Sequence, residues 1–416
     1  MTHAQVSHRP PAPAFCFIPC KKICQICKFP LFYFSSCVII EPHTRQNLSK
    51  GVMNMKRVGI LTSGGDCQAL NVTMRGVAKG LYSIYGNNGV EIIGFIDGYR
   101  GLIYENYRKM SPLDFSGLLT VGGTILGSSR TPFKLIREPD ENGLDKVEAM
   151  KYTYRRLRLD CLVVLGGNGS QKTANLLSEE GLNVIGLPKT IDNDLWGTDT
   201  TFGFQSAIAI ATDVIDCIHT TASSHNRIFL VEVMGHKAGW LTLNAGMAGG
   251  ADIILIPEIP YNIDSVVRKV QERSSSGHGF TILAVAEGAM SKELAEMPKK
   301  ERKKAMEKIL KKYPSISYEI AAQITERTGQ EVRVTVPGHM QRGGIPCAYD
   351  RVLSSRLGTS AALEISKDNY GNLIAIHDHK IISVPLKDIA GKLKTVDPKG
   401  DIIEEARLLG ISFGDD

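Results

Sequence analysis

Short apolar runs separated by glycine-rich turns recur along most of the chain. They have the length of buried strands and are too short for amphipathic helices. Parallel strands that are covered on both faces read as near-continuous apolar runs of this kind. The predicted strands are Lys56–Leu61, Val90–Ile96, Cys161–Leu165, Leu182–Leu187, Arg227–Val233, Ile253–Ile256, Thr281–Ala286, Val332–Val336 and Lys380–Leu386.

Longer segments with helical character alternate with these strands. The order strand, glycine turn, helix is typical of a doubly wound α/β domain, and it occurs more than once here. The sequence therefore predicts an α/β protein with two doubly wound, Rossmann-like parallel-sheet domains and an active site between them. The predicted helices are Asn71–Leu81, Gln171–Leu177, Thr200–His219, Pro298–Lys312 and Asp350–Ile365.

Polar residues cluster where the predicted strands end. Ligands of such folds bind at the carboxyl ends of the strands, and glycine turns there offer backbone N–H groups to phosphate. Each cluster alone is compatible with a solvated turn, but together they are typical of phosphoryl transfer. The clusters are Asp66, Asp97–Tyr99, Arg130, Asn168–Ser170, Lys189–Asp194, Met234–Lys237, Glu287 and His339–Arg342.

The segment Gly186–Asp194 has the densest chemistry. Asp192 and Asp194 are two carboxylates one residue apart, which suits a site that handles a proton and a phosphate-bound metal ion. If the segment is extended, alternation points both side chains the same way. Lys189 would face a phosphate as a compact charge. An isolated Asp-Asn-Asp is more often a polar turn, so the interpretation depends on the neighbouring clusters.

Length and charge narrow the possible functions. The 416 residues favour two domains. Of the net charge of +6, residues 1–55 carry +5, because they contain six lysines and arginines and one acidic residue. The remainder is nearly neutral, and the basic helix Pro298–Lys312 lacks interleaved aromatic residues, so we expect no nucleic-acid partner. No apolar run reaches the length of a membrane span, and we expect no membrane partner.

Cysteine is also concentrated at the N-terminus, where five of the nine lie within residues 1–55. Cys20, Cys24 and Cys27 have the spacing of a radical-SAM iron–sulfur loop, although nothing after them predicts the barrel which that chemistry needs. The other four cysteines are scattered, as in a reducing cytosol, and indicate a cytoplasmic protein. We expect residues 1–55 to be a disordered N-terminal extension.

Seven motifs in this order resemble the 6-phosphofructokinase family, from about Lys56 to the C-terminus. The turn GGNGS alone would also suit NAD kinases and diacylglycerol kinases, which lack PKTIDND and GHMQRGG. The resemblance implies that ATP, with Mg²⁺, phosphorylates fructose 6-phosphate to fructose 1,6-bisphosphate in glycolysis. The motifs are TSGGD, GGTILGSSR, GGNGS, PKTIDND, SSHNRIFLVEVMG, AGGADIILIPE and GHMQRGG.

The resemblance also implies two domains that bind different ligands. Residues 56–203 with 342–391 would form the nucleotide-phosphate domain, and residues 204–341 with 392–416 the sugar-phosphate domain. Asn168 stands where the family commonly has a metal-binding aspartate, and an amide binds Mg²⁺ less strongly. The residues implied to hold the nucleotide are Gly65, Arg130, Thr131, Gly167, Asn168, Gly169 and Ser170.

For catalysis, the resemblance makes Asp192 the general base for the sugar 1-hydroxyl, with Thr190 beside it and Asp194 in support. Arg130 and His236 complete the catalytic set, and His236 replaces an arginine of the family. The sugar phosphate would be held by Thr190, Ile191, Asp192, Met234, Gly235, His236, Glu287, His339, Met340, Gln341 and Arg342.

Two further arginines of this sequence, Arg227 and Arg333, match arginines that the family lends across a subunit interface. The resemblance therefore implies a homotetramer, or a homodimer, with shared active sites.

Two positions bear on the phosphoryl donor. In the family, glycine at position 169 leaves room for ATP, whereas lysine at position 189 favours pyrophosphate; this chain has Gly169 and Lys189. A steric block is harder to evade than an extra charge is to tolerate, so Gly169 favours the ATP-using side of the mixed-substrate group. The alternatives are a pyrophosphate-dependent enzyme and a non-catalytic sugar-phosphate-binding paralogue. Intact Asp192, Asp194 and Arg130 argue against the paralogue.

Overall fold

The computed structural model of the chain describes residues 55–415. The expected disordered extension and its cysteine cluster lie outside the described residues, apart from Met55. Among the helices in the described part, none is both long and apolar enough to cross a membrane.

The described part of the chain forms a seven-stranded and a four-stranded sheet. The larger sheet has the order β11-β10-β5-β4-β1-β2-β3, parallel except for its two edge strands, and the smaller has the order β7-β8-β6-β9 and is parallel throughout. These sheets confirm the predicted fold class. The strands are β1 (Lys56–Ser63), β2 (Val90–Phe95), β3 (Tyr107–Met110), β4 (Cys161–Gly166), β5 (Val184–Pro188), β6 (Ile228–Val233), β7 (Ile253–Leu255), β8 (Thr281–Ala286), β9 (Val332–Thr335), β10 (Asn372–His377) and β11 (Lys380–Pro385).

Helices connect the parallel strands, as crossover connections between such strands require. Two of them, α1 and α11, approach closely because Gly76 and Gly358 face each other's backbone: a Cβ added at Gly358 would lie 2.5 Å from Thr73 O. The helices are α1 (Leu70–Tyr85), α2 (Tyr99–Ile103), α3 (Lys146–Arg156), α4 (Asn168–Glu179), α5 (Phe204–His225), α6 (Trp240–Ala248), α7 (Ile263–Ser275), α8 (Lys292–Glu296), α9 (Lys299–Lys312), α10 (Ile316–Thr328), α11 (Ala348–Ser366), α12 (Leu386–Ile389) and α13 (Asp401–Leu408).

Helix α5 joins the two sheets. It begins after the last parallel strand of the first half of the chain and leads directly into β6 of the smaller sheet. Its buried residues Ala207, Ala211 and Ile215 belong to one apolar cluster that also contains side chains from both sheets. The larger sheet takes its strands from residues 56–188 and 372–385 and the smaller sheet from residues 228–335. The predicted domains, with boundaries at residues 203, 341 and 391, stay a prediction.

Candidate active site

The candidate site lies where three neighbouring parallel strands end together. Ser63 of β1 is in register with Gly166 of β4, and Gly166 is in register with Pro188 of β5. A pocket of about 760 Å³ opens beyond these ends and is also lined by residues that follow β6 and β8. It is lined by Ser63, Gly64, Gly65, Arg130, Thr131, Pro132, Phe133, Gly167, Asn168, Gly169, Ser170, Lys172, Lys189, Thr190, Asp192, Asp194, Met234, His236, Lys237, Glu287, Arg342, Gly391 and Leu393.

The first glycine turn is tied to the segment that carries Arg130. Gly64 adopts a φ of +89°, its N–H donates to Ser129 O at 3.1 Å, and its carbonyl accepts from Ser128 Oγ at 2.6 Å. This φ lies in the left-handed region that favours glycine. The turn therefore brings Arg130 and Thr131 into the same pocket wall as Gly65.

The second glycine turn opens helix α4. The helix begins at Asn168, directly after Gly167, and Gly167–Ser170 line the pocket. The first N–H groups of a helix lack intrahelical acceptors, and the helix dipole favours negative charge there. Gly169 is exposed, and a Cβ placed on it would meet nothing within 4 Å. The turn therefore presents backbone donors and open space to a ligand.

The segment after β5 is bent rather than extended. Residues 191 and 192 form a bend, and Asn193 adopts a φ of 51°. Asn193 is held there by its side chain, whose Oδ1 accepts from Thr201 N at 3.1 Å. The segment therefore does not meet the condition for strand alternation, although Asp192 and Asp194 both line the pocket. Asparagine tolerates this left-handed conformation, which the apolar–polar pattern does not reveal.

Burial shifts the pKa values of two ionisable side chains in this segment. Lys189 is 4% exposed, and burial lowers the pKa of its ammonium group. Burial, and then the neighbouring Asp192 carboxylate, raise the pKa of Asp194. Within residues 55–415, Asp192 Oδ1 is a buried oxygen without a hydrogen-bond partner, while Asp192 N donates to Thr190 Oγ1 at 3.1 Å. A buried, unpaired carboxylate oxygen is costly unless a proton donor or a cation occupies its surroundings.

The smaller sheet supplies the opposite wall. Val233 of β6 is in register with Ala286 of β8, so the residues after both strands meet. Glu287 Oε1 accepts from His236 N at 2.8 Å, and His236 has a φ of 51°. Met234, His236 and Glu287 thereby face the pocket together with Lys237.

Several predicted residues lie outside the lining. Ile191 and Gln341 are fully buried, and Gln341 Oε1 accepts from Met234 N at 3.2 Å. His339 and Met340 are exposed in the short turn Gly338–Arg342, and Gly235 lies two residues after the end of β6; none of the three lines the pocket. Arg342 lines the pocket and donates to Asp66 O at 3.0 Å.

Arg227 and Arg333 lie at the exposed end of the smaller sheet rather than in the pocket. Both pair with Glu331, Arg227 at 2.6 Å. Arg333 belongs to β9, the edge strand of its sheet. Within the described chain, these two arginines are therefore not brought to the pocket of their own subunit.

Sequence reasoning missed part of the lining. Gly391 and Leu393 come from a segment about two hundred residues beyond Lys189, and no local motif marks them. Lys172 lies one turn into α4 after the glycine turn, and Phe133 follows Arg130 closely, so extending those two motifs by three residues would have found both.

The side-chain oxygen atoms of Asn168, Asp192 and Asp194 are suitable ligands for a magnesium ion. Asn168 Nδ2 donates to Lys392 O at 2.6 Å, which leaves the amide oxygen as its remaining polar atom. The unpartnered Asp192 Oδ1 and the Asp194 carboxylate, whose pKa is raised by burial and by Asp192, are oxygen ligands of the kind that Mg²⁺ prefers. A cation near them would offset the cost of burying two carboxylates together.

Comparison with known proteins gives consistent results. A family model described as Phosphofructokinase matches residues 57–365. The ATP-dependent 6-phosphofructokinase of Spirochaeta thermophila is 55% identical over 364 residues, covering 86% of this chain and 97% of that protein. The ATP-dependent 6-phosphofructokinase 3 of Bacteroides thetaiotaomicron is 45% identical over 359 residues, covering 86% of this chain and 100% of that protein.

Solved structures agree at the level of the fold. A Pichia pastoris phosphofructokinase in the T-state superposes with a TM-score of 0.70 at 32% identity, over 82% of this chain and 36% of that one. This chain thus spans about a third of that protein's length. A pyrophosphate-dependent phosphofructokinase from Marinobacter aquaeolei has a TM-score of 0.68 at 22% identity, over 84% of this chain and 88% of that one, and bears on the fold alone. From the family match and these relatives, the chain belongs to the phosphofructokinase family.

Proposed function

We propose that the protein is an ATP-dependent 6-phosphofructokinase, which transfers the γ-phosphoryl group of ATP to the 1-hydroxyl of fructose 6-phosphate. The observation that carries the proposal is the unpartnered, buried Asp192 Oδ1 beside Asp194, in one pocket with the amide-rich turn before α4. The names of the bacterial relatives support ATP as the donor. Burial and the neighbouring Asp192 carboxylate raise the pKa of Asp194, and a cation bound beside the two carboxylates would oppose that shift.

In the proposed mechanism, Asp192 accepts the proton of the 1-hydroxyl while that oxygen attacks the γ-phosphorus in line. The bond from the γ-phosphorus to the bridging oxygen of the β-phosphate breaks, and ADP leaves. The pocket wall of Gly65, Arg130, Thr131 and Gly167–Ser170 holds the nucleotide phosphates through N–H donors and guanidinium charge. The protein needs little covalent chemistry, because alignment and positive charge lower the barrier.

On the acceptor side, Thr190, Met234, His236 and Glu287 hold the sugar, and Arg342 grips its 6-phosphate. His236 supplies the polar group at the position where the family has an arginine, beside the transferring phosphoryl group. Exposed His339 and Met340 lie three and two residues before Arg342 in the chain and extend the sugar-phosphate side. Ile191 and Gln341 are fully buried and do not line the pocket, so they support the residues that do, as Gln341 does by accepting from Met234 N.

Magnesium is part of the proposal. Asn168 and Asp194 would hold the ion near the phosphates, where it would neutralise charge on the transferring group. The Asn168 carboxamide binds it less strongly than an aspartate would, so phosphate oxygens and water carry a larger share of the coordination.

The open space at position 169 favours ATP as the phosphoryl donor. A Cβ on Gly169 would meet nothing within 4 Å, so the path that the α-phosphate and ribose need is open. Pyrophosphate is the alternative donor, which the buried charge of Lys189 would suit. The ATP-dependent names of relatives at 45% to 55% identity favour the nucleotide.

We further propose that the active enzyme is a homotetramer, or a homodimer, that acts in the cytoplasm. Arg227 and Arg333 lie away from their own pocket, paired with Glu331 at the exposed end of the smaller sheet, which suits contribution to a neighbour's sugar-phosphate site. Arg333→Ala should raise KM for fructose 6-phosphate more than it lowers kcat, because the arginine binds substrate without touching the reacting atoms. Sedimentation of both proteins separates a lost contact from lost assembly, and an unchanged KM would contradict the shared site.

A coupled assay tests the proposed function. Purified protein with ATP, Mg²⁺ and fructose 6-phosphate should form fructose 1,6-bisphosphate, which aldolase and a dehydrogenase convert into a change in NADH absorbance. Chelation of magnesium should abolish the signal, and added Mg²⁺ should restore it. Folded protein that forms no bisphosphate from ATP at any magnesium concentration would contradict the proposal.

A further inference from the structure

A short segment near the C-terminus crosses the wall of the pocket. We call residues 391–396 the C-terminal strap. Gly391 and Leu393 line the pocket, and Leu393 forms an isolated antiparallel bridge with Leu195. The strap therefore runs alongside the chain just after Asp194.

The backbone of the strap is hydrogen-bonded to the turn after β4 and to the segment after β5. Lys392 O accepts from Asn168 Nδ2 at 2.6 Å, and Lys394 N donates to Asp194 O at 2.9 Å. One stretch of three residues thus contacts the turn after β4 and the segment after β5.

The Lys394 side chain reaches further along the same segment. Its Nζ donates to Thr198 O at 2.9 Å and to Asp199 O at 2.7 Å. Asp199 O also accepts from Asn193 Nδ2 at 3.3 Å, so the same carbonyl holds the left-handed residue between the two aspartates. Hydrogen bonds from a charged donor are roughly twice as strong as neutral ones.

The strap also contacts the smaller-sheet half of the pocket. Lys394 Nζ lies 5.5 Å from the centroid of the Trp240 ring, and Trp240 Nε1 donates to Lys394 O at 3.2 Å. Further along, Val396 N donates to Glu258 Oε1 at 2.9 Å, and Glu258 also accepts from Gly239 N at the start of α6. A single lysine thereby joins the segment that carries Asp194 to the helix that follows β6.

We propose that Lys394 is a positioning residue that fixes the 192–199 segment relative to the smaller-sheet wall of the pocket. The proposal rests on the phosphoryl transfer proposed above. Lys394 binds the segment through backbone carbonyls and does not line the pocket, so it acts through Asp192 and Asp194 rather than on substrate. Displacement of a reacting group by about 1 Å costs on the order of 10²-fold in rate.

Matched variants test this role. Lys394→Met keeps the aliphatic stem and removes the ammonium donor, Lys394→Arg keeps the charge, and Lys399→Met removes an exposed lysine just beyond the strap. We expect kcat of Lys394→Met to fall by about 10- to 100-fold with KM for fructose 6-phosphate changed by less than about threefold. Lys394→Arg should recover part of that loss, and Lys399→Met should match wild type.

Hydrogen exchange of the same proteins provides a readout without substrate. Amides of residues 190–201 should exchange faster in Lys394→Met than in Lys399→Met, while those of β4 and β6 stay unchanged. If Lys394→Met does not fold, Trp240→Phe is the second test. It keeps an aromatic ring but removes the N–H that donates to Lys394 O. We expect a smaller fall in kcat and a smaller increase in exchange of residues 190–201.

The role is overturned if kcat and exchange in residues 190–201 equal those of Lys399→Met, or if lost activity only matches lost folded protein. An inactive wild type would instead contradict the proposed phosphoryl transfer. In that case faster amide exchange of residues 190–201 in Lys394→Met would still support the proposal that Lys394 fixes the 192–199 segment. Unchanged exchange would refute it.

Discussion

Two adjacent turns of the larger sheet reach the same pocket by opposite means. The turn after β4, Gly167–Ser170, offers backbone N–H groups and open space, with Gly169 exposed. The segment after β5, Lys189–Asp194, offers side chains held in a buried, bent backbone. The strands before them are neighbours in register, so the difference arises in the turns themselves.

The difference shows how specificity and chemistry are separated. A backbone cradle binds any phosphate chain that fits, so its selectivity depends on the room left for the rest of the donor. Groups that react must instead be held in one geometry by surrounding contacts, as Asn193 is held by Thr201. Substitutions in the first turn should therefore change which donor reacts, and substitutions in the second should change whether reaction occurs.

The largest effect is expected in the segment after β5. Asp192→Asn should lower kcat by about 10²- to 10⁴-fold, the range for a lost general base, with fructose 6-phosphate affinity largely intact. Asp213→Asn, on an exposed face of α5, is the matched control and should retain wild-type kinetics. Stopped-flow or steady-state rates with saturating substrates measure the change. Near-wild-type turnover in Asp192→Asn would remove this residue from the role of base.

An intermediate effect is expected in the turn after β4. Gly169→Asp should lower kcat/KM for ATP by about 10²-fold, because like-charge contact with the nucleotide phosphates costs several kcal/mol. Pyrophosphate ends before that point and should be affected less. An aspartate in the first turn of a helix is locally favourable, so the fold should persist. Gly169→Asn has nearly the same size without the charge and separates steric from electrostatic exclusion; equal losses with both donors would contradict the donor assignment.

The smallest effect is expected on stability, when two glycines of one turn are each replaced by alanine. A Cβ on Gly167 would lie 3.3 Å from Lys189 O, whereas a Cβ on Gly169 would meet nothing within 4 Å. Gly167→Ala should therefore destabilise by about 1 kcal/mol, as mild overpacking does. Gly169→Ala should leave stability unchanged or raise it by about 0.5 kcal/mol. Thermal melting of both variants measures the difference, and equal melting temperatures would show that the two turns do not constrain each other.

Much of the fold could be predicted from apolar runs, because strands buried on both faces leave a continuous signal. Thr281–Ala286 has the predicted bounds, and Cys161–Gly166 differs by one residue. Tyr107–Met110 carries an exposed arginine and lysine at a sheet edge and gives no such signal. Asn372–His377 has four buried apolar residues in succession, so the same reasoning could have found it.

The site could be predicted less completely, because a pocket depends on which distant segments meet. Local motifs located the turns that carry Arg130, Asn168–Ser170 and Asp192. They could not locate Leu393, which reaches the pocket only because the chain returns from the end of the larger sheet. Nor could they reveal the left-handed Asn193, which sets the positions of its two neighbouring aspartates.

The most direct test of this account lets both donors compete for the wild-type enzyme. ATP and pyrophosphate at equal concentration, with Mg²⁺ and fructose 6-phosphate, can be followed together by phosphorus NMR in one tube. The open space at Gly169 predicts that ATP is consumed as fructose 1,6-bisphosphate appears, while pyrophosphate remains. Consumption of pyrophosphate with ATP untouched would contradict the account and make Lys189, rather than Gly169, the determinant of the donor.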